Sequence, residues 1–330
     1  MGPVGGVFDG LLALVLLVLS IRLLFVSSLF HAVVLFIALG LLMGLTWVRL
    51  QAPDVALAEA AIGAALTGVL FIDLLYKLTH RNNIRSSVSE RLIYEQTMPR
   101  RWLTACLSAL VCIALLAPLL MVAAQSPTTG AGLTPAVSAA MAATGVTHEV
   151  TAVLLNFRSF DTLLELTVLF VAVLAALTLR VMDTSSLPTA IPKPPDPLMD
   201  GLWRLLLPLL VAVSGYLLWL GSFTSGGAFQ SGIVMAATII LLSLTGQRTL
   251  ELLPPLVWRA LLVVGLLNFI VVGAAMLMLE GAFLQYPQGW AGGLILLLEV
   301  TASLTIATAL VTLVLGLSVP AMFKRYPDPR

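Results

Sequence analysis

Acidic side chains inside long apolar runs are the residues of this sequence most able to do chemistry. Glu59 lies in APDVALAEAAIGAALTGVLF, among Ala58, Ala60, Ala61, Gly63, Ala64 and Ala65. Small neighbours let helices approach closely, so the pattern reads as a carboxylate in a tight helix interface, able to handle an ion or proton or to serve only as a hydrogen-bonded packing group. Asp54, beside Pro53, sits where a helix begins and reads as a cap. A second group lies in NFRSFDTLLELTVL. Arg158, Asp161 and Glu165 are spaced i, i+3, i+7 and share a face if the helix is continuous. Asp161 and Glu165 would repel at i, i+4, and Arg158 offsets this by pairing with Asp161. An acid held near another acid is poised to take up and release protons, although Asp161 serves equally as a helix cap. Asn156, Thr162 and Thr167 stand ready as hydrogen-bond partners, and His148 and Glu149 precede the group as candidates for its outer mouth. Glu299, in GGLILLLEVTASLTIATAL, lies near the middle of a run and is followed by Thr301, Ser303 and Thr305. A lone carboxylate at that depth needs a partner or water. Lys77, four residues after Asp73, is a weaker candidate that can snorkel to the surface.

The elements that position these groups must be membrane helices. Of 330 residues, 60% are hydrophobic and 10% charged, against about 25% charged in a soluble domain. One core cannot hide that excess. Runs long enough to cross a bilayer occupy 9–27, 29–48, 54–77, 102–123, 160–181, 199–220, 228–246, 257–279 and 290–318. They carry no period-two alternation, so the expected fold is an all-α membrane protein with a bundle of nine transmembrane helices. The first run has neither a basic leader nor a small-residue cleavage site and reads as a retained helix. Lys77, Arg81, Arg85, Arg91, Arg100 and Arg101 fall on one side, together with Lys193, Arg248, Arg259, Lys324 and Arg325. Loops 124–147, 221–227 and 281–289 hold no Lys or Arg. The bias places the N-terminus outside and the C-terminus in the cytoplasm, with Arg49 and Arg158 on the outer half.

Segment 145–158 is apolar but short, and reads as a helix lying at the outer surface or packed across the bundle. Residues 183–198 hold five prolines and read as an extended cytoplasmic linker. The expected modules are a three-span unit 1–101, a two-span unit 102–182 with its surface helix, the linker 183–198 and a four-span unit 199–330. Segment 81–98 is polar and suits a short cytoplasmic helix.

Several functions are excluded. A net charge of +1 gives no reason for a nucleic-acid partner. Cys106 and Cys112 have no Cys or His neighbours and read as packing residues. The sequence carries no HExxH and no G-x-S-x-G. SFTSGGAFQSG has no strand before it and no GK[ST] after it, which argues against phosphate binding. His31, His80 and His148 lie far apart in depth and suit no paired haem ligation. No cofactor is expected and the chain does not read as an enzyme.

APDVALAEAAIGAAL resembles the APDVALTEAAVGAGL signature near the C-terminal end of the large subunit of Mrp-type cation/proton antiporters, which also occurs as a small subunit of membrane-bound hydrogenases. VTAVLLNFRSFDTLLELTVL resembles the next element of that large subunit, with Ser159 where glycine is usual. SGGAFQSGIVMAATIIL resembles the Gly-rich element of the Mrp B-type subunit, with Thr224 and Ser225 at positions where that family tends to have proline and glycine. Glu299 then falls where the B-type subunit carries an acid in its last span. The resemblance implies a multi-pass subunit of the cell (inner) membrane, working with other membrane subunits, antiporter-like ones included, and with lipids. It implies that Glu59 and Glu165 belong to a cation or proton path, with transient Na+ near them, and more weakly that Glu299 and Arg158 do. The long antiporter-like part is absent, so the chain is not expected to transport alone. The same modules serve redox-driven complexes, and a purely structural role for the carboxylates is the third reading.

Overall fold

A computed structural model describes residues 3–68, 71, 75, 98–125, 132–182, 197–244 and 254–315. The helices are α1 (Pro3–Phe25), α2 (Leu29–Arg49), α3 (Pro53–Ala58), α4 (Met98–Gln125), α5 (Thr134–Ala140), α6 (Glu149–Ala152), α7 (Ser159–Met182), α8 (Pro197–Leu220), α9 (Ala228–Leu244), α10 (Pro255–Glu280) and α11 (Ala291–Leu315). Two π-helical turns, Glu59–Leu66 and Val153–Phe157, continue α3 and α6. There is no strand among the described residues. Six stretches are long and apolar enough to cross a membrane: Gly5–Phe25, Leu29–Arg49, Cys106–Gln125, Ser159–Leu179, Pro255–Glu280 and Ala291–Leu315. Arg204–Leu220 and Ala228–Ser243 are shorter apolar helical stretches. The chain is an all-α, multi-pass membrane protein. Lys77, Asp73, segment 81–97 and linker residues 183–196 lie outside the described residues, while Pro197 and Leu198 open α8.

The chain forms two units, Ile72–Ala136 and the remainder. In the smaller unit α4 is exposed along all of Cys106–Gln125. Cys106 and Cys112 are therefore exposed free thiols and not the packing residues their apolar surroundings suggest. The reason is that an apolar run in lipid need not be an interior run.

In the larger unit α11 is the centre and touches α7, α8, α9 and α10. It is enclosed along most of its length, with Glu299, Ser303, Thr305, Thr308 and Thr312 among its buried residues. Glycines bring its neighbours close. A Cβ on Gly265 of α10 would lie 2.9 Å from the Thr301 carbonyl oxygen, and one on Gly232 of α9 would lie 3.0 Å from that of Ser303. Polar atoms lock the same contacts. The Thr305 hydroxyl accepts the Gly265 N–H (2.8 Å) and donates to the Leu261 carbonyl (2.9 Å). The Trp258 indole donates to Thr312, and Asn268 to Thr301, both at 3.0 Å.

The first helices form a hairpin closed at one end by charge. Arg49 grips Asp9 through Nε (2.7 Å) and Nη2 (3.0 Å), the two-pronged geometry that gives such pairs their strength. After Gln51 turns the chain with a φ of 59°, Pro53 starts α3. The expected continuous helix over 54–77 is instead α-helical for six residues and π-helical from Glu59. A run of alanine and glycine lets a turn widen without side-chain collisions. Thr67 then donates to the Ile62 carbonyl five residues back (2.7 Å), the π spacing.

Replacing Gly265 by valine should loosen the α10–α11 contact by about 1–3 kcal/mol, the usual cost of overpacking. Gly215, with open space at its Cβ position, should tolerate alanine. Thermal unfolding of the detergent-solubilised protein, read for both variants, checks the contrast.

Candidate functional site

Glu299 occupies the middle of α11 and is 2% exposed. One carboxyl oxygen accepts the backbone N–H of Ala228, the first residue of α9. The first N–H groups of a helix lack internal partners, and the helix dipole favours negative charge there. Glu299 thus serves α9 as a cap supplied by another helix. Its Oε2 is buried without a hydrogen-bond partner. Gly221 and Gly227 cover the carboxyl. A Cβ on them would lie 3.1 and 2.8 Å from Oε1, and Gly227 has a φ of 106°, so both positions call for glycine. One turn along α11, Ser303 meets Ser231 (3.0 Å), which meets Ser214 (3.1 Å). Three buried hydroxyls from α11, α9 and α8 thereby make one connected chain.

The loop 221–227 is pinned from its other side. Asp54 accepts the Gly226 N–H at 3.1 Å and faces the Ser225 hydroxyl at 3.4 Å. Gln230 donates to the Asp54 carbonyl (3.5 Å). His148 Nε2 is 3.4 Å from Asp54 Oδ2, and the two side chains are 18% and 15% exposed. Thr147 and His148 donate their N–H groups to the Ser222 carbonyl at 3.0 and 3.3 Å. Thr151 donates to the Gly221 carbonyl (2.5 Å). Asp54 is therefore more than the helix cap its position beside Pro53 suggests. His148 is part of this network, in contact with Asp54, Thr151 and the Ser222 carbonyl. Glu149 is exposed at the start of α6.

The segment before α7 is packed into the core, with Thr151, Ala152 and Leu155 buried. Arg158 interrupts the helix with φ −132° and ψ 37°, so it does not continue one helical face with Asp161 and Glu165. It still pairs with Asp161 at 2.6 Å, and both are surface groups, 68% and 39% exposed. Glu165 is exposed on the same helix and not buried, because the core-facing positions of α7 are Leu163, Leu166 and Val173. The nearby polar side chains are taken up by backbone. Thr162 donates to Leu154, Thr167 to Leu163 and Asn156 to Thr144. Ser159 donates to Leu155 (2.5 Å) and accepts the Tyr286 hydroxyl (3.4 Å). Burial raises the Tyr286 phenol above its ordinary pKa, so it stays a donor. Glu59 is half-buried, and its carboxyl folds back over Gly63, where a Cβ would collide with it. The structure therefore separates the predicted acids. Glu299 is interior, Glu59 is intermediate, and Asp161 and Glu165 are at the surface. Among the described residues no cluster of three or more His, Cys, Asp or Glu could hold a metal.

Sequence reasoning missed the serine chain and the Asp54–His148 contact. Mid-span serines were a usable signal for the first. The second joins positions 94 apart in the chain, and nothing local marks it.

Residues 14–80 match MbhD, a family of MBH subunits, and residues 198–323 match a domain related to the MnhB subunit of the Na+/H+ antiporter. In fold the chain is similar to a chain of the Mrp complex from Dietzia sp. DQ12-45-1b. The identity is 23% and the TM-score 0.71, over 97% of this chain and 35% of that one. The chain thus spans about a third of that protein's length. It is also similar to a chain of the membrane-bound sulfane sulfur reductase, an archaeal respiratory membrane complex. There the identity is 25% and the TM-score 0.54, over 66% of this chain and 97% of that one. No curated protein matches it significantly.

Glu299→Gln keeps an acceptor for the Ala228 N–H and should preserve the fold. Glu299→Leu orphans that donor and should destabilise by about 1–3 kcal/mol. Comparing the yield and melting temperature of the two purified variants tests the capping role.

Proposed function

We propose, for a chain that belongs among the Mrp/MBH-type membrane subunits, that it supplies part of the ion path of a multisubunit cation (Na+)/proton antiporter, assembled from nine spans with the N-terminus outside. The observation that carries this reading is Glu299, a carboxyl held inside the MnhB-related part with one oxygen on a helix start and the other unpartnered. A group in that setting exchanges a proton or a dehydrated cation at little structural cost, because its fixed partner is a backbone N–H that stays in place. Asp161 and Glu165 extend the path outward. A carboxylate exposed at membrane depth requires a neighbouring protein or water, so these two acids and Arg158 mark where another membrane subunit completes the site. Glu59, beside a widened π turn, is the corresponding group of the MbhD-related part. The modules 1–101, 102–182 and 199–330, joined by the linker 183–198, are proposed as units of this assembly.

A second reading has its own support. The MbhD match and the likeness to the sulfane sulfur reductase complex favour a redox-driven ion-moving machine. Co-purification separates the two. Antiporter-like subunits alone support the first, and iron–sulfur or nickel-bearing subunits support the second.

In membrane vesicles carrying the assembled complex, Glu299→Gln, Glu165→Gln and Glu59→Gln should each lower sodium-dependent proton flux by about tenfold or more while assembly persists, consistent with loss of a group that must change charge. Undiminished flux in all three variants would refute the ion-path reading.

A further inference from the structure

We propose that Asp54 and His148 form a site for one exchangeable proton, and that this proton holds the loop 221–227 closed over Glu299. The argument begins with hydrogens. The Thr151 hydroxyl has a single hydrogen, and it is donated to the Gly221 carbonyl, which can only accept. The contact between Thr151 Oγ1 and His148 Nδ1, at 3.2 Å, must then be a donation from Nδ1–H to the hydroxyl. That fixes the tautomer. Nδ1 carries a hydrogen in both charge states, and Nε2 is the atom that gains or loses one. Nε2 faces Asp54 Oδ2 at 3.4 Å. With a proton between them the contact is an attractive, charge-assisted hydrogen bond. Without it a nitrogen lone pair faces a carboxylate oxygen, and the contact repels.

Among the described residues, the acids next along the chain from this pair are Glu59, which opens the π turn continuing α3, and Glu149, which follows His148. Asp54 comes from α3, and the loop 221–227 packed on it carries no charged residue. Thr151 and exposed Glu149 are its neighbours on α6, and Gln230 reaches the Asp54 backbone only. Beneath the loop lies Glu299. A buried carboxyl with Gly221 and Gly227 against it meets water or a cation only if the loop moves. The pins that prevent movement converge on the Asp54–His148 pair: Gly226 and Ser225 on Asp54, Ser222 on the His148 and Thr147 backbones, and Gly221 on Thr151. A proton arriving at the pair tightens every one of these pins, and its departure separates the two halves of the clasp. No covalent bond between heavy atoms changes. The proton moves between Nε2 and solvent, and the loop follows.

The proposal deepens the ion-path reading of Glu299 and rests on it for its purpose, but loop opening is measurable whether or not the complex exchanges ions. The test uses the intact complex in vesicles with Cys106 and Cys112 replaced by alanine, since both are exposed thiols, and with Ser303→Cys as a buried reporter one turn below Glu299. The probe is a small methanethiosulfonate reagent, applied at about pH 6 and about pH 8.5, one on each side of neutrality. Rates are normalised to Asp54→Ala at the same pH, which lacks the clasp at either value and removes the reporter thiol's own change in reactivity. The unsubstituted pair should react roughly tenfold more slowly than Asp54→Ala at the lower pH, the scale of one charge-assisted hydrogen bond, and approach it at the higher. Asp54→Asn should reverse that order, closed at the higher pH, where its amide accepts from Gly226 and donates to Nε2, and open at the lower, where the same amide donor faces Nε2–H. Ser231→Cys replaces the reporter if Ser303→Cys prevents assembly. Equal normalised rates at both pH values, or identical rates in Asp54→Asn and Asp54→Ala at the higher pH, would overturn the proposal. Loss of ion exchange with intact pH-dependent opening supports the clasp, and intact exchange in Glu299→Gln with the same opening counts against the ion-path reading alone.

Discussion

A carboxyl group in the middle of a membrane helix needs a donor where neither lipid nor packed aliphatic chains offer one, and the start of α9 supplies it to Glu299. Much of the C-terminal half follows from that single hydrogen bond. It requires α9 to begin beside residue 299, so the chain before it reaches that point as the loop 221–227. The loop can lie there only because Gly221 and Gly227 have no side chains to collide with the carboxyl. Gly232 then brings α9 against the next turn of α11, and Ser231, one residue earlier, is placed to meet Ser303 and Ser214. The glycine-rich run and the buried acid are two halves of one device.

The polar groups of α11 divide between two faces. Thr301, Thr305 and Thr312 meet the Asn268 amide, the Gly265 N–H and the Trp258 indole of α10. That face is mortar, and each bond binds two helices at a fixed height. On the face toward α8 and α9 the Ser214 hydroxyl donates to the Ser231 carbonyl (3.0 Å), which leaves Ser231 to donate to Ser214 and Ser303 to Ser231, and the same face carries the acid with an unpartnered oxygen.

The helical architecture was legible because lipid makes it so: backbone groups without water must pair within their own segment, and long apolar runs then have one solution. α2 spans Leu29–Arg49 where the apolar run covers 29–48, and α11 begins at Ala291 where the run begins at 290. The Arg158–Asp161 pair was legible too, being local. What sequence did not disclose was depth and facing. Glu165 and the two cysteines sit in runs as apolar as that around Glu299, yet they are exposed while Glu299 is enclosed. In a soluble protein hydrophobic surroundings signal an interior. In a membrane chain the same surroundings describe both the interior and the outer wall, so periodic patterning loses the contrast on which burial arguments depend. Asp54 was hidden by a different cause: its place beside Pro53 already explained it, and its contacts with His148 and Gly226 bring together segments far apart in the chain.

The two π turns fit this picture in physical terms. A widened turn leaves carbonyl oxygens without their usual amide partners, and within a membrane those oxygens must be satisfied locally. At Val153–Phe157 the hydroxyls of Ser159 and Thr162 reach back to Leu155 and Leu154; after Glu59 the hydroxyl of Thr67 reaches Ile62. Each π turn stands directly beside acids, Glu59 in one case and the Arg158–Asp161 pair in the other. A widened turn changes which way the following side chains face relative to a regular helix. Here it lets one side of the chain stay packed against α2 or α11 while the acids turn aside from that packing. The same geometry explains why Asp161 and Glu165 emerge at the surface although Leu155 and Leu166, on either side of them in sequence, are core. Asp161 has Arg158 beside it at 2.6 Å, and Glu165 is exposed, off the side of α7 that packs through Leu163, Leu166 and Val173.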